Sequence, residues 1–251
     1  MIENKEVKKL SNYLDLAIEN EILVITDEFY TPNFWKKLLK ISYRKLGISV
    51  DTNGVFSESD RRQIAFVPNS YNDYKQKINY PNKLLKIEVN TKFKEYGHKD
   101  FLGSLMGLNI KRELFGDLIL IENVAYIPVS DKIVEYVLLN LNKIGKSTCT
   151  IKIVENEERI PSYSFEDKVI VITSKRLDSI VSGITKVSRM KVIEPIENGK
   201  ILVDYVEEKD KSKIIEIGST ITIKGFGKFK LFSENGETKK GKEKILVKKY
   251  K

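Results

Sequence analysis

Two places in the chain set a hydroxyl ahead of closely spaced cations: Ser174-Lys175-Arg176 and Ser188-Arg189-Met190-Lys191, with Gly199-Lys200 a few residues further on. Ser174 can cap a helix through Leu177, Ile180, Val181 and Ile184, and Ser188 can cap a second through Val192, Ile193 and Ile196. Each helix then carries cations in its first turn, where they oppose the helix dipole by about 0.3–1 kcal/mol apiece. A phosphate held by the first N–H groups and the neighbouring Arg and Lys would offset that cost, so the chemistry on offer is anion binding. One arginine at a helix start is ordinary. Two in succession, followed by Gly199-Lys200, favour a polyanion.

Groups for other chemistry are scarce. Cys149 is the only cysteine and His98 the only histidine, which excludes disulfides, zinc clusters, Cys/His dyads and any two-histidine metal site. No cofactor is expected. Gly225-Phe226-Gly227 precedes strand-like residues and no helix, so it is a tight turn and not a dinucleotide loop. The carboxylate pairs Glu157-Glu158 and Glu207-Glu208 sit in polar stretches with nothing apolar to raise a pKa, which makes them solvated loop.

The 251 residues hold 44 Lys+Arg against 35 Asp+Glu, a net charge of +9, and 41% are apolar, enough for a buried core. From Ser174 onward the balance is 19 to 11, a net of +8, while the first 173 residues hold 25 to 24. The basicity belongs to the C-terminal third, and lysines that displace counterions from phosphates gain affinity there. An anionic membrane is disfavoured, because these cations are interleaved with strand and turn patterns instead of lining one amphipathic helix. No apolar run approaches the ~18 residues of a bilayer span, and Met1-Ile2-Glu3-Asn4-Lys5-Glu6 carries acids where a signal peptide needs bases. A cytoplasmic protein without membrane partners is expected, monomeric when free.

The elements that position the cations read as α+β. Leu10, Tyr13, Leu14 and Ala17 recur at helical spacing, and Thr31-Pro32 opens a second helix with Phe34, Trp35, Leu38, Leu39, Ser42 and Leu46 inward. Strands Ile48 to Val50 and Gln63 to Val67 flank Asp51-Thr52-Asn53-Gly54 as turn chemistry, and Arg61-Arg62 is a solvated strand entry. Residues 1–80 form this small N-terminal α+β domain. Residues 81–160 follow a βαββαβ order: strand Leu84 to Asn90, helix Lys99 to Leu108, a hairpin across Glu122-Asn123, a helix from Ser130-Asp131 through Ile144, and a strand from Thr148 to Val154. That is a ferredoxin-like sandwich, whose strands offer chiefly aliphatic residues and Tyr126, so stacking of bases on this sheet is not favoured. Gly97-His98-Lys99 marks a helix entrance with Asp100 as its acid. An acidic linker with Pro161 leads to a basic domain over residues 168–251.

Ser174-Lys175-Arg176-Leu177-Asp178, Ser188-Arg189-Met190-Lys191 and Ile196-Glu197-Asn198-Gly199-Lys200 through Asp204, with Ile217-Gly218-Ser219-Thr220-Ile221 and Gly225 to Lys230, resemble the alpha-L RNA-binding domain of small-subunit ribosomal protein S-four. Together with Asp100 to Glu113, Gly116-Asp117 and the ending Thr238-Lys239-Lys240-Gly241-Lys242, they resemble the YlmH family of bacterial ribosome-associated proteins over nearly the whole chain. The resemblance implies a non-catalytic protein that binds structured ribosomal RNA or tRNA, on large ribosomal subunits, including those obstructed by peptidyl-tRNA. The implied RNA-binding set is Arg176, Ser188, Arg189, Lys191, Lys200, Lys228, Lys230, Lys239, Lys240 and Lys242, with Lys111 and Arg112 in the middle domain.

Two positions depart from the alpha-L pattern. Pro195 replaces an aliphatic helix residue and should end or kink the second helix early. Asp204 replaces an asparagine and should weaken local attraction to phosphate. An alternative is an RNA-modifying enzyme: Arg176-Leu177-Asp178 resembles the Arg-Leu-Asp motif of pseudouridine synthases, whose aspartate is catalytic. The 73 residues after Asp178 are too few for the rest of such a domain.

Overall fold

Leu10, Tyr13, Leu14 and Ala17 share one face of helix α1 (Ile2–Asn20) in the computed structural model, which describes residues 2–72, 78–91, 94–155 and 160–251. The pair Glu157-Glu158 lies outside the described residues. α1 buries Leu10 and Ala17 with Ile48, Ile64 and Phe66 of an antiparallel sheet ordered β1 (Val24–Ile25), β3 (Gln63–Pro68), β2 (Ile48–Asn53). Helix α2 starts behind Thr31 but spans only Pro32–Lys40. The β-branched Ile41 turns extended and left-handed Gly47 closes the following turn, so Ser42 and Leu46 fall outside the helix; they and Leu39 are exposed and not inward. β2 runs past the expected turn because Asp51, Thr52 and Asn53 pair with Ala65, Ile64 and Gln63. A short helix α3 (Asn69–Asn72) follows.

The middle of the chain has the ferredoxin-like order. Strands β4 (Asn82–Val89), β5 (Ile119–Ile121), β6 (Val124–Ser130) and β8 (Ser147–Ile153) form an antiparallel sheet ordered β5-β6-β4-β8, with the two-residue β7 (Lys143–Ile144) on its edge. Leu85, Ile87, Ala125 and Ile127 bury one face with Phe101 and Leu105 of α4 (His98–Met106) and with Val134 and Val137 of α5 (Val134–Asn140). The Gly97 N–H donates to Asp100 Oδ2 at 2.8 Å, so Asp100 closes the α4 entrance. α5 is shorter than its periodicity suggests. A tight turn over Asp131–Ile133 precedes it, and Ile144 belongs to β7, where left-handed Gly145 turns the chain into β8.

Both sheets lie in one compact unit, Met1–Ser162; Tyr163–Lys251 forms the second. Within the first unit Asp117 is 6% exposed and its Oδ2 accepts the N–H groups of Asp60 at 2.6 Å and Arg61 at 3.0 Å. The Phe29 N–H donates to Glu113 O, and Asn82 Nδ2 to Gln63 Oε1. Arg61 and Arg62 are engaged here and are not a solvated entry. The Arg62 guanidinium lies 4.7 Å from the Trp35 ring centre and its Nε donates to Ser59 O at 2.9 Å. Asp117→Ala leaves two buried N–H groups without an acceptor, so it should cost about 2–4 kcal/mol, read as a lower urea midpoint; an unchanged midpoint would refute the assignment.

In the second unit six antiparallel strands are ordered β11 (Val206–Glu207), β10 (Ile201–Val203), β12 (Thr220–Ile223), β13 (Gly227–Glu237), β14 (Glu243–Tyr250), β9 (Phe165–Ile172). β9 pairs with β14 along its whole length, from Ile172 opposite Glu243 to Phe165 opposite Tyr250. Ile170, Ile221, Phe229, Leu231, Ile245 and Val247 meet Leu177, Ile180, Val192 and Ile196 of helices α6 (Leu177–Thr185) and α7 (Arg189–Glu197). Pro195 neither ends nor shortens α7. It removes one hydrogen bond near the C-terminus, where Val192 and Ile196 are buried and the helix stops two residues later anyway. No helix among the described residues is long and apolar enough to cross a membrane.

Candidate nucleic-acid interface

α6 begins two residues later than its hydroxyl predicts. Arg176 is the N-cap residue, so Lys175 and Arg176 stand before the helix and not in its first turn. The first two N–H groups are already taken: Leu177 donates to Lys213 O at 2.9 Å and Asp178 to Lys211 O at 3.1 Å. This start is therefore closed by backbone and offers no N–H pair to a phosphate. Lys175 is drawn aside into ion pairs with Glu234 and Glu243. α7 follows the expectation more closely, with Ser188 as N-cap residue, Arg189 first and Lys191 third, although the Ser188 hydroxyl makes no cap bond.

What balances the cations is Asp178. Its side chain is 7% exposed; Oδ1 accepts Arg176 Nε at 3.3 Å, and Oδ2 accepts Arg176 Nη2 at 3.2 Å and Arg189 Nη2 at 2.7 Å. Burial pushes this carboxyl up, but the hydrogen bonds and charges of the two arginines outweigh it and hold the group below its ordinary range. The bond to Asp178 raises the Arg176 guanidinium in turn. A guanidinium has five N–H donors, and Asp178 takes two from Arg176 and one from Arg189. The helix starts thus present two arginines locked side by side, each with donors left over, beside exposed Lys191. Both oxygens of Asp178 are occupied by cations in a buried place, which suits an anchor for the two arginines.

The other predicted residues are distributed. Lys200 is exposed but lies beyond the C-terminus of α7, about 15 Å from its start at 1.5 Å per residue. Lys239, Lys240 and Lys242 are exposed on the β13–β14 turn, held by Thr238 N–H to Lys242 O at 2.8 Å and by left-handed Gly241. Lys228 and Lys230 alternate with the core residues Phe229 and Leu231, so they point away from α6 and α7. In the first unit Lys111 is exposed, whereas Arg112 clasps its own loop, donating to Phe115 O at 2.7 Å and Gly116 O at 3.1 Å.

Asp204 is explained by backbone. Asp204 and Tyr205 both have positive φ, 48° and 72°, in the two-residue turn between β10 and β11. A carboxylate tolerates this conformation much as asparagine does, and its Oδ1 accepts the Thr220 N–H at 2.9 Å. Glu208 corrects the solvated reading of its pair. It is half-buried and bonded to Lys213 and the Asp210 N–H; burial pushes its carboxyl up, and these partners bring it below its usual range. Cys149 is half-buried and burial pushes its thiol up, the reverse of a nucleophile's activation. Sequence reasoning missed the aromatic residues around Lys228 and the lysines of β14, because Lys244-Ile245-Leu246-Val247-Lys248-Lys249-Tyr250 does not alternate strictly and only the pairing of β14 shows which of its residues share a face.

Residues 75–158 match the family described as "Putative RNA-binding domain in YlmH". A curated relative from Bacillus subtilis (strain 168), named "Ribosome-associated protein quality control protein P2", is 26% identical over 200 residues, 79% of this chain and 77% of the relative. A solved structure, "Cell division protein ylmH from Streptococcus pneumoniae", is 23% identical, covers 64% of this chain and 96% of that one, and superposes with a TM-score of 0.49.

Proposed function

We propose that this chain, which resembles the YlmH family over most of its length, is a non-catalytic RNA-binding protein of the ribosome. It would act in the cytoplasm, on structured ribosomal RNA or tRNA of the large subunit, in quality control of stalled translation. The observation that carries this reading is the arginine pair. Two guanidiniums fixed by one buried carboxylate at adjacent helix starts, in the part of the chain that bears nearly all of the net charge, form a pre-ordered phosphate site whose remaining donors need no further arrangement. The family description of residues 75–158 and the name of the B. subtilis relative support the ribosomal address. The division into domains at 1–80, 81–160 and 168–251 belongs to the same reading, with the middle domain as the second RNA contact.

Affinity for structured RNA should fall steeply with salt. Arg189→Glu with Lys191→Glu removes two phosphate contacts, so the slope of log affinity against log salt should flatten by roughly 1.5–2; because Arg189 also pairs with buried Asp178, the urea midpoint of the variant is measured alongside and the slope is read where it is folded. Filter binding of a ribosomal RNA fragment at four salt concentrations reads it. An unchanged slope would remove α7 from the interface.

A further inference from the structure

We propose that the helix-free face of the C-terminal sheet is a second RNA surface, specific for unpaired nucleotides; this rests on the RNA-binding reading and adds to it a distinct ligand class. As far as the register shift after Leu231, alternate residues of β13 leave the core and point to this face, Lys228 and Lys230 among them, and β14 adds Leu246, Lys248 and Tyr250. Lys230 stands directly opposite Lys248, which sets two cations side by side on this face. Lys244 adds a fourth cation in the same alternation, and the carboxylate facing them is Asp167, opposite Lys248 on β9.

The lysines are interleaved with rings. Lys228 Nζ lies 4.3 Å from the Tyr250 ring centre and 4.9 Å from that of Tyr205, while Lys248 Nζ lies 3.4 Å from the Phe232 ring centre and 5.2 Å from that of Phe165. Phe165 and Tyr250 touch edge-on at 5.0 Å, and Phe232 is 37% exposed. Aromatic side chains left half-exposed beside ammonium groups suit a ligand with both a flat apolar surface and a negative charge at each repeat, which is a single strand. A duplex offers its phosphates but keeps its base faces stacked, so the rings would gain nothing from it. A second copy of this chain is disfavoured by like charge. This face points away from α6 and α7, so a structured element at the arginine pair and an unpaired segment here can be held at once.

The test uses the full chain with two fluorescent probes: a single-stranded 12-nucleotide RNA without secondary structure, and an RNA hairpin of equal phosphate number. Phe232→Ala with Tyr250→Ala should weaken the single strand by about tenfold to a hundredfold and the hairpin by less than twofold. Phe232→Tyr with Tyr250→Phe should restore single-strand binding, which separates loss of stacking from loss of fold. Arg189→Glu with Lys191→Glu should do the reverse, weakening the hairpin and sparing the single strand. Equal losses on both probes, or no loss with the ring-deleted variant, would overturn the platform while leaving the RNA-binding reading intact. Tighter binding of poly-glutamate than of the single strand would assign the face to an acidic protein and overturn it likewise. If the unaltered chain binds neither RNA, both readings fall.

Discussion

Asp178→Asn is expected to destabilise the C-terminal unit by about 1–3 kcal/mol at neutral pH, through loss of charge-assisted hydrogen bonds in a buried place. Its pH dependence distinguishes this cause from a packing fault. The carboxyl is held below its ordinary value of 3.8 in the folded state, so its contribution is fully present above that value and is lost as pH falls through the lower, folded one. The difference between parent and variant in chemical denaturation should therefore be constant from pH 7 to about pH 5 and shrink below about pH 4. A difference that persists unchanged into acid would mean that the substituted amide fails by shape and not by charge. The same variant tests the enzyme reading, because the Arg-Leu-Asp resemblance makes this aspartate the catalytic group of a pseudouridine synthase. Pseudouridine in cellular RNA should be unaltered. Loss of one specific pseudouridine with the protein still folded would reinstate catalysis.

What local pattern carries is legible in the sequence, and what distant segments supply is not. The spacing of Leu10, Leu14 and Ala17, the hairpin at Glu122-Asn123 and the βαββαβ order follow from periodicity and turn chemistry, and the structure places them accordingly. The α6 start does not, because the carbonyls that close it belong to Lys211 and Lys213, more than thirty residues downstream. Ser174 resembles a cap only because nothing nearby announces those partners. The cations are not an uncompensated cost, and the reason is equally hidden: the compensating carboxylate is two residues from Arg176 in sequence, but its burial depends on the whole helix pair. Pro195 and Asp204, departures by residue type, turn out to fit their backbone positions. The segregation of Lys228 and Lys230 from the helix-side arginines follows from strand parity, which needs the register of β13 against its neighbours.

The largest effect is expected from cutting the chain between its units. Residues 163–251 have a core of their own, from Ile170 and Leu177 to Val247, and should fold alone. They also hold most of the net positive charge, so the fragment should keep salt-sensitive binding to generic structured RNA. Charge gives affinity without address, since every RNA offers the same phosphates. The nearly neutral first unit adds little attraction by itself, but once the second unit is bound the covalent tether keeps it near any adjoining site at an effective concentration in the millimolar range. A weak contact from that unit then multiplies into selectivity. Lys111 and the α4 entrance at Gly97 to Lys99 are the candidates, whereas Arg112 is committed to the carbonyls of Phe115 and Gly116. The full chain should thus prefer large ribosomal subunits over bulk RNA by on the order of a hundredfold more than the fragment does. Sedimentation of both proteins with separated ribosomal particles and with bulk RNA measures the ratio. Equal ratios would mean that the first unit has no part in recognition, and that the whole address lies in the basic domain.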